Sequence, residues 1–177
     1  MKGLGKYIVA TLVIALISHF AFINAAPGVM MNVAIKRVGG ESPNQWHFAD
    51  RVTETSRQIV RPSPDFAYSA CAYDLSNGPV VITATPWNAY WSLSLYAANS
   101  DNFFVIDDRE ARFGAEITVV RRGQPHPEGA SMVVESPSGR GIALIRRLAP
   151  DLDAYNAAAQ IARGDLCASV ASLTPTS

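Results

Sequence analysis

Residues 90–97, Tyr-Trp-Ser-Leu-Ser-Leu-Tyr-Ala, carry the strongest alternation in the chain. Trp91, Leu93, Leu95 and Ala97 fall on one side and Tyr90, Ser92, Ser94 and Tyr96 on the other. A period of two is that of a β-strand, so this segment predicts a strand with one face on a core. Asn99-Ser100-Asp101-Asn102 then turns the chain into a short apolar strand, Phe103 to Ile106. Further strands are predicted at Ala115 to Arg121, at Ser131 to Glu135 and along GIALIRRLA. They are separated by a polar loop (107–114), a Gly/Pro loop (123–129) and the turn Ser136-Pro137-Ser138-Gly139. Six to seven short strands at such spacing, without βαβ alternation, point to an antiparallel sandwich or jelly-roll-like body.

Upstream lies RPSPDFAYSACAYDLSNGP, Arg61 to Pro79. Pro62 and Pro64 fix their own φ and bias the preceding residues away from the α region, which makes Arg61 to Asp65 an extended strap. YSACAYDL reads as a strand, Ser76-Asn77-Gly78 as a turn, and Pro79 to Ile82 as the start of a second run, together a hairpin. Still earlier, Ser42-Pro43-Asn44-Gln45 has the pattern of a capping box with proline at the first helical position. Trp46, Ala49, Val52, Ser56 and Ile59 follow at helical spacing, predicting a helix from Ser42 to about Val60. A last helix is expected after Pro150, with Asp151 as N-cap and Leu152, Tyr155, Ala159, Ala162 and Leu166 as its apolar stripe.

The N-terminus sets the address. Lys2 and Lys6 precede Tyr7 to Ile23, 17 residues without a formal charge. At about 1.5 Å per residue this run spans roughly 26 Å, near the ~30 Å hydrocarbon core, and longer than the ~7–15 residues of a signal-peptide core. We therefore expect a membrane anchor over 1–26, with a signal peptide cut near Ala25 as the alternative. The leading lysines place the N-terminus inside and the body outside. The expected location is the inner membrane, single-pass, with the body in the periplasm, or secretion after cleavage. A linker or interfacial segment (27–41) is expected next, with Val29, Met30, Val33 and Ala34 as one apolar face. The domain follows at 42–170, and then a flexible tail (171–177).

The full chain of 177 residues suits one domain. At 49% hydrophobic and 17% charged it can build a core, and its 15 basic and 15 acidic residues give no global attraction to nucleic acid. Two cysteines, Cys71 and Cys167, form an expected disulfide in an exported domain, two buried thiols being the alternative. The sequence has no G-x-S-x-G elbow, H-E-x-x-H, phosphate-binding glycine loop or paired-cysteine zinc motif. We therefore assign no metal and no cofactor, and read the acidic run Asp101, Asp107, Asp108 and Glu110 as a solvated loop. One member of each pair Arg121-Arg122 and Arg146-Arg147 is expected to face inward or meet a partner. The candidate polar site is Arg61, Asp65, Tyr68, Tyr73 and Asp74, where carboxylates and tyrosines could do acid–base work if they converge; a buried ion pair among Arg61, Asp65 and Asp74 is the structural alternative.

SPDFAYSACAYDLSNGPVVI, YWSLSLYAANSDNFFVIDDR and SPSGRGIALIRRL, in that order, resemble the domain of unknown function 1254 family across Ile59 to Leu148. Members share an Asn-Pro-Asp-Thr-Tyr-like strap, where this chain has Ser63 for Asn and Phe66 for Thr. The resemblance implies a β-rich sandwich and implies no reaction. Longer members continue into a domain of unknown function 1214, which does not follow here. Two functions are thus weighed: a non-catalytic envelope module that binds a partner, and a component of a hydrolase-like enzyme with a site around the Arg61–Asp74 strap. The expected partners are the membrane and either a second copy or a separately encoded domain of unknown function 1214 protein, with Tyr90, Tyr96 and Phe103 as contact anchors.

Overall fold

The computed structural model describes residues 4–40, 42–56 and 61–173. An apolar helix, α1 (Leu4–Gly39), leads into nine strands: β1 (Trp46–Phe48), β2 (Phe66–Asp74), β3 (Val80–Ala84), β4 (Trp91–Ala97), β5 (Asn102–Asp107), β6 (Ala115–Arg121), β7 (Val133–Ser136), β8 (Arg140–Leu148) and β9 (Cys167–Ser169). Helix α2 (Leu152–Ile161) and a turn of 3-10 helix (Ala162–Gly164) precede β9, and a short α3 (Val170–Leu173) follows it. The strands form a five-stranded sheet in the order β1-β2-β8-β4-β5 and a four-stranded sheet in the order β7-β6-β3-β9. Pairing is antiparallel except for β6 with β7, which is parallel. The fold is mainly β, a two-sheet sandwich with flanking helices.

The alternation in β4 does what its period requires. Trp91, Leu93 and Leu95 are buried in the core between the sheets, with Cys71, Tyr73, Ile82, Ile117, Val119 and Ile145. Tyr96, on the opposite face, packs under α1.

Several local expectations are corrected. β2 and β3 are not a hairpin: the Ser76–Gly78 turn carries the chain from one sheet to the other, because β2 pairs along its whole length with β8 and also with β1. The helix expected from Ser42 is extended chain instead. Trp46 lies opposite Cys71 and Phe48 opposite Ser69, so a sheet edge outranks the capping-box pattern. Asn44 seals that choice with a left-handed φ of 61°. Its side chain accepts from the Asp74 N–H (2.8 Å) and donates to the Asp74 carbonyl (3.1 Å), imitating a ladder partner. Residues 57–60, where that helix was expected to end, lie outside the described residues.

The helix α1 does not stop at the membrane-length run. It continues through Pro27 across the segment read as a linker, and buries Met31, Ala34 and Ile35 against Ala72 and Ile142 of the five-stranded sheet. The approach is close: a Cβ on Gly39 would stand 2.9 Å from the Ala72 Cβ. Val29 and Val33 stay exposed on the opposite side, and Met30 is exposed at the flank of the buried face. In α2, Asp151 caps as expected, accepting from the Ala154 N–H at 2.8 Å. The buried stripe, however, is Ala158 with Ala154 and Tyr155, while Leu152 and Leu166 are exposed.

Candidate functional site

The polar residues around the strap do not converge. Arg61 and Asp65 are exposed on the loop before β2. Asp74 ends the same strand, nine residues on, about 30 Å away at the ~3.3 Å rise of an extended chain. Among the described residues no ion pair joins Arg61, Asp65 and Asp74. Tyr68 points to the outer face of the five-stranded sheet, where its hydroxyl accepts from the Ser63 N–H at 2.9 Å and ties the strap down. Tyr73 points the other way, into the core. It is fully buried, donates to the Tyr96 carbonyl (3.1 Å) and shares a 3.0 Å hydrogen bond with the Ser136 hydroxyl. Burial pushes its pKa up to about 12, against smaller opposing effects from Ser136 and Ser138. A phenol so held is a structural tie between sheets. Gly141 makes it possible, since a Cβ there would run into both the Tyr73 ring and the Tyr96 carbonyl.

Asp74 instead joins a cleft at the strand ends. One of its carboxylate oxygens accepts from the Ser76 N–H at 2.8 Å. The cleft, of ≈ 520 Å³, is lined by Asp74, Arg121 and Arg140 together with Ser76, Gln124 and Ser138. Both members of the Arg121-Arg122 pair are exposed, so neither faces inward, the first of the two alternatives expected for that pair. In the other pair the expectation holds. Arg146 donates to the Ser92 hydroxyl at 3.3 Å, and Arg147 is buried.

The Arg147 guanidinium meets Asp165, a residue the sequence pattern did not single out. Nη1 donates to Oδ2 (2.9 Å), Nη2 to Oδ1 (2.7 Å), and Nη2 also to the Thr85 carbonyl (3.0 Å). Asp165 in turn accepts from the Thr85 N–H at 2.8 Å. Two residues on, Cys167 is bonded to Cys71. The two expected cysteines thus form a disulfide between β9 and β2. Ion pair and disulfide together clamp one short segment, 165–167, across the sandwich. Both partners of the ion pair are committed to this clamp.

On the outer face of the five-stranded sheet, α1 covers the end bearing Ala72, Ile142 and Tyr96. Toward the opposite end lies an aromatic corner: the Phe66 and Tyr90 rings meet edge-on with centroids 5.9 Å apart, and Tyr68 lies beside Phe66 at 6.3 Å. Of the three expected contact anchors, Tyr90 is exposed, Tyr96 is partly covered by α1, and Phe103 packs partly against the core. Phe113, 96% exposed on the loop after β5, is an aromatic the pattern gave no reason to notice. His126 pairs at the surface with Glu135, 3.2 Å away. The Asp107 carboxylate caps its own turn by accepting from the Arg109 N–H at 2.9 Å.

A family model described as "Protein of unknown function (DUF1254)" matches residues 43–168. No curated protein matches the chain. Among solved structures, the VPA0106 protein from Vibrio parahaemolyticus superposes with a TM-score of 0.66 at 13% identity, covering 85% of this chain and 37% of that one. A putative uncharacterized protein from Burkholderia cenocepacia gives a TM-score of 0.45 at 16% identity, covering 85% and 40%. The chain therefore spans less than half the length of either solved protein. At such identity the Vibrio structure speaks for the shared fold alone.

Proposed function

We propose that this chain, which belongs to the DUF1254 family, is a membrane-anchored, non-catalytic module of the cell envelope that docks a second polypeptide on its five-stranded sheet. The observation that carries this reading is the half-covered outer face. α1 occupies one end of it and leaves the Phe66–Tyr90 corner and the β5 edge open. Open strand edges with unpaired N–H and C=O groups are usually blunted or paired, and aromatic residues are enriched at protein interfaces. The dispersal of Arg61, Asp65, Tyr68, Tyr73 and Asp74 supports binding over acid–base chemistry. α1 is long and apolar enough to cross a membrane. Lys2 and Lys6 at the start of its apolar stretch are matched by Lys36 and Arg37 at the end, two against two, so flanking charge by itself gives no bias; we read the N-terminus as inside and the body as periplasmic. The disulfide fits that oxidising side.

The partner is a second copy or a separately encoded domain of unknown function 1214 protein. Photo-crosslinking in cells from position 90 or 105 tests it. Adducts at twice the mass of the chain, or adducts with such a protein, are expected; adducts from neither position would sink the docking reading. Independently, α1 uncleaved in the membrane predicts that the protein survives a carbonate wash with Lys2 still present. A soluble product starting near Ala26 overturns the anchor.

A further inference from the structure

α1 carries more apolar length than a bilayer needs. From Tyr7 to Ile35 it has 29 residues without Asp, Glu, Lys or Arg. That is about 44 Å of helix against a hydrocarbon core of ~30 Å, which Tyr7 to Ala26 alone would fill. The surplus turn by turn meets the sheet. Pro27 is reached first, its carbonyl accepting from the Ser100 hydroxyl at 2.9 Å on the β4–β5 hairpin. Met31, Ala34 and Ile35 follow, then Gly39 against Ala72. Rising along the helix, contact thus passes from the β4–β5 hairpin to β8 and β2, so β4 and β5 lie nearest the bilayer.

Between helix and hairpin an apolar cleft of ≈ 570 Å³ opens. Phe22, Ile23 and Ala26 wall it below, Met30 and Met31 above, with Tyr96 and Ser100 across. Its helix wall reaches Ala34, roughly 12 Å beyond Ala26 at the ~1.5 Å helix rise. The polar headgroup layer is only about 5–8 Å deep on each side. The lower half is therefore bathed by bilayer hydrocarbon, while the upper half stands above the headgroups with no bilayer to cover it.

We infer that this cleft takes one acyl chain of a bilayer phospholipid, drawn up from the membrane along α1. The inference rests on the anchor reading above. The occupant follows from continuity: the cleft opens at the level of the bilayer, and its walls stay apolar from Phe22 upward. The volume lies within the ~300–1,000 Å³ of ligand pockets. Methionines at the top, flexible and polarizable, suit a chain without fixed shape. The Ser100–Pro27 hydrogen bond holds the hairpin at a set distance and keeps the mouth open.

The test uses the full chain in nanodiscs of phosphatidylcholine and phosphatidylglycerol, doped with a phospholipid bearing a diazirine at the end of one acyl chain. Adducts are mapped by mass spectrometry. Labelling of Leu12 to Ile17 reports the anchor, and labelling of Met30, Met31, Tyr96 or Ser100 reports the cleft. Both sets are expected. Ala26→Trp and Met30→Trp, each filling the cleft from a side chain outside the buried core, should lose the upper adducts and keep the lower ones, with the disulfide intact. Adducts confined to the lower set, or upper adducts that survive both fillings, overturn the proposal. Crosslinks between the cleft and the helix of a second copy would assign it to self-association and overturn it equally. Loss of the lower set in the unaltered chain removes the anchor and the proposal with it.

Discussion

Breaking the Arg147–Asp165 pair is the sharpest perturbation the fold offers. The two side chains are 1% and 0% exposed. Asp165→Leu removes the carboxylate and leaves the guanidinium with the Thr85 carbonyl as its remaining partner. Arg147→Met leaves a buried carboxylate held only by the Thr85 N–H. Either change strands an uncompensated buried charge, a situation that costs about 3–5 kcal/mol. Arg147→Met combined with Asp165→Leu removes both charges and strands only the two Thr85 backbone groups, at about 1–3 kcal/mol each, whereas each single variant strands a charge besides one of those groups. The expected result is that the double variant is more stable than either single one. Urea unfolding of the full chain in mild detergent, followed by the fluorescence of buried Trp91 and by near-ultraviolet circular dichroism, measures all four proteins of the cycle. Single variants costing under about 1 kcal/mol, or a double variant costing the sum of the two, would refute the reasoning, because the pair would then be neither desolvated nor coupled.

Removing the Cys71–Cys167 bond frees a loop with a sequence separation of 96, for which chain entropy gives about 4–5 kcal/mol; Cys71→Ala should lose about 2–5 kcal/mol of stability, and denatured, unreduced protein should show no labelled thiol. Labelling of both cysteines would end this account. Tyr73 makes an alkaline prediction with a definite sign. Its folded pKa of about 12 lies above the ordinary 10, so its stabilisation is present below pH ~10 and is lost as pH rises toward ~12, about 2–3 kcal/mol in all. Tyr73→Phe should flatten that step while lowering stability at neutral pH, and an unchanged alkaline slope in the variant would assign the step elsewhere.

What the sequence made legible follows how local each cause is. β4, β6 and the Asp151 cap rest on spacing or on one residue and its neighbours, and each stands where the pattern put it. The Ser42–Gln45 box is equally local, yet β1 forms there because Trp46 and Phe48 gain a ladder on β2, some twenty residues away. β2 and β3 looked like a hairpin for the same reason: turn residues report that the chain bends and do not report which sheet it enters next. Parity put Arg146 and Arg147 on opposite faces without saying which meets the core. Asp165 could not be picked out, since nothing near Gly164 or Cys167 in sequence announces a guanidinium arriving from β8. The polar residues around Arg61 were grouped by nearness in sequence, and an extended strand is the element that separates such neighbours fastest. Tyr68 and Tyr73, five apart, end on opposite faces because five is odd.

The continuation of α1 past the bilayer length has a consequence for how the module sits. A flexible linker after Ile23 would let the sandwich tumble, and any face could then meet a partner or the membrane. Instead the same helix that fits the bilayer is buried against Ala72 and Ile142 and fixed at Pro27 by Ser100. Proline inside a helix removes one backbone donor and commonly kinks or ends it. Here the helix is carried beyond that point by the sheet packed against its next three turns. With α1 as the anchor proposed above, the sandwich would have one orientation to the membrane, β4 and β5 near it and β1 away from it. In that proposed placement Ser100 and Tyr96 lie on the side that meets lipid, while the Phe66–Tyr90 corner lies on the same sheet face at a distance from the helix. The two binding surfaces proposed here are separated by that geometry, so filling the cleft at Ala26 should leave crosslinking from position 90 untouched.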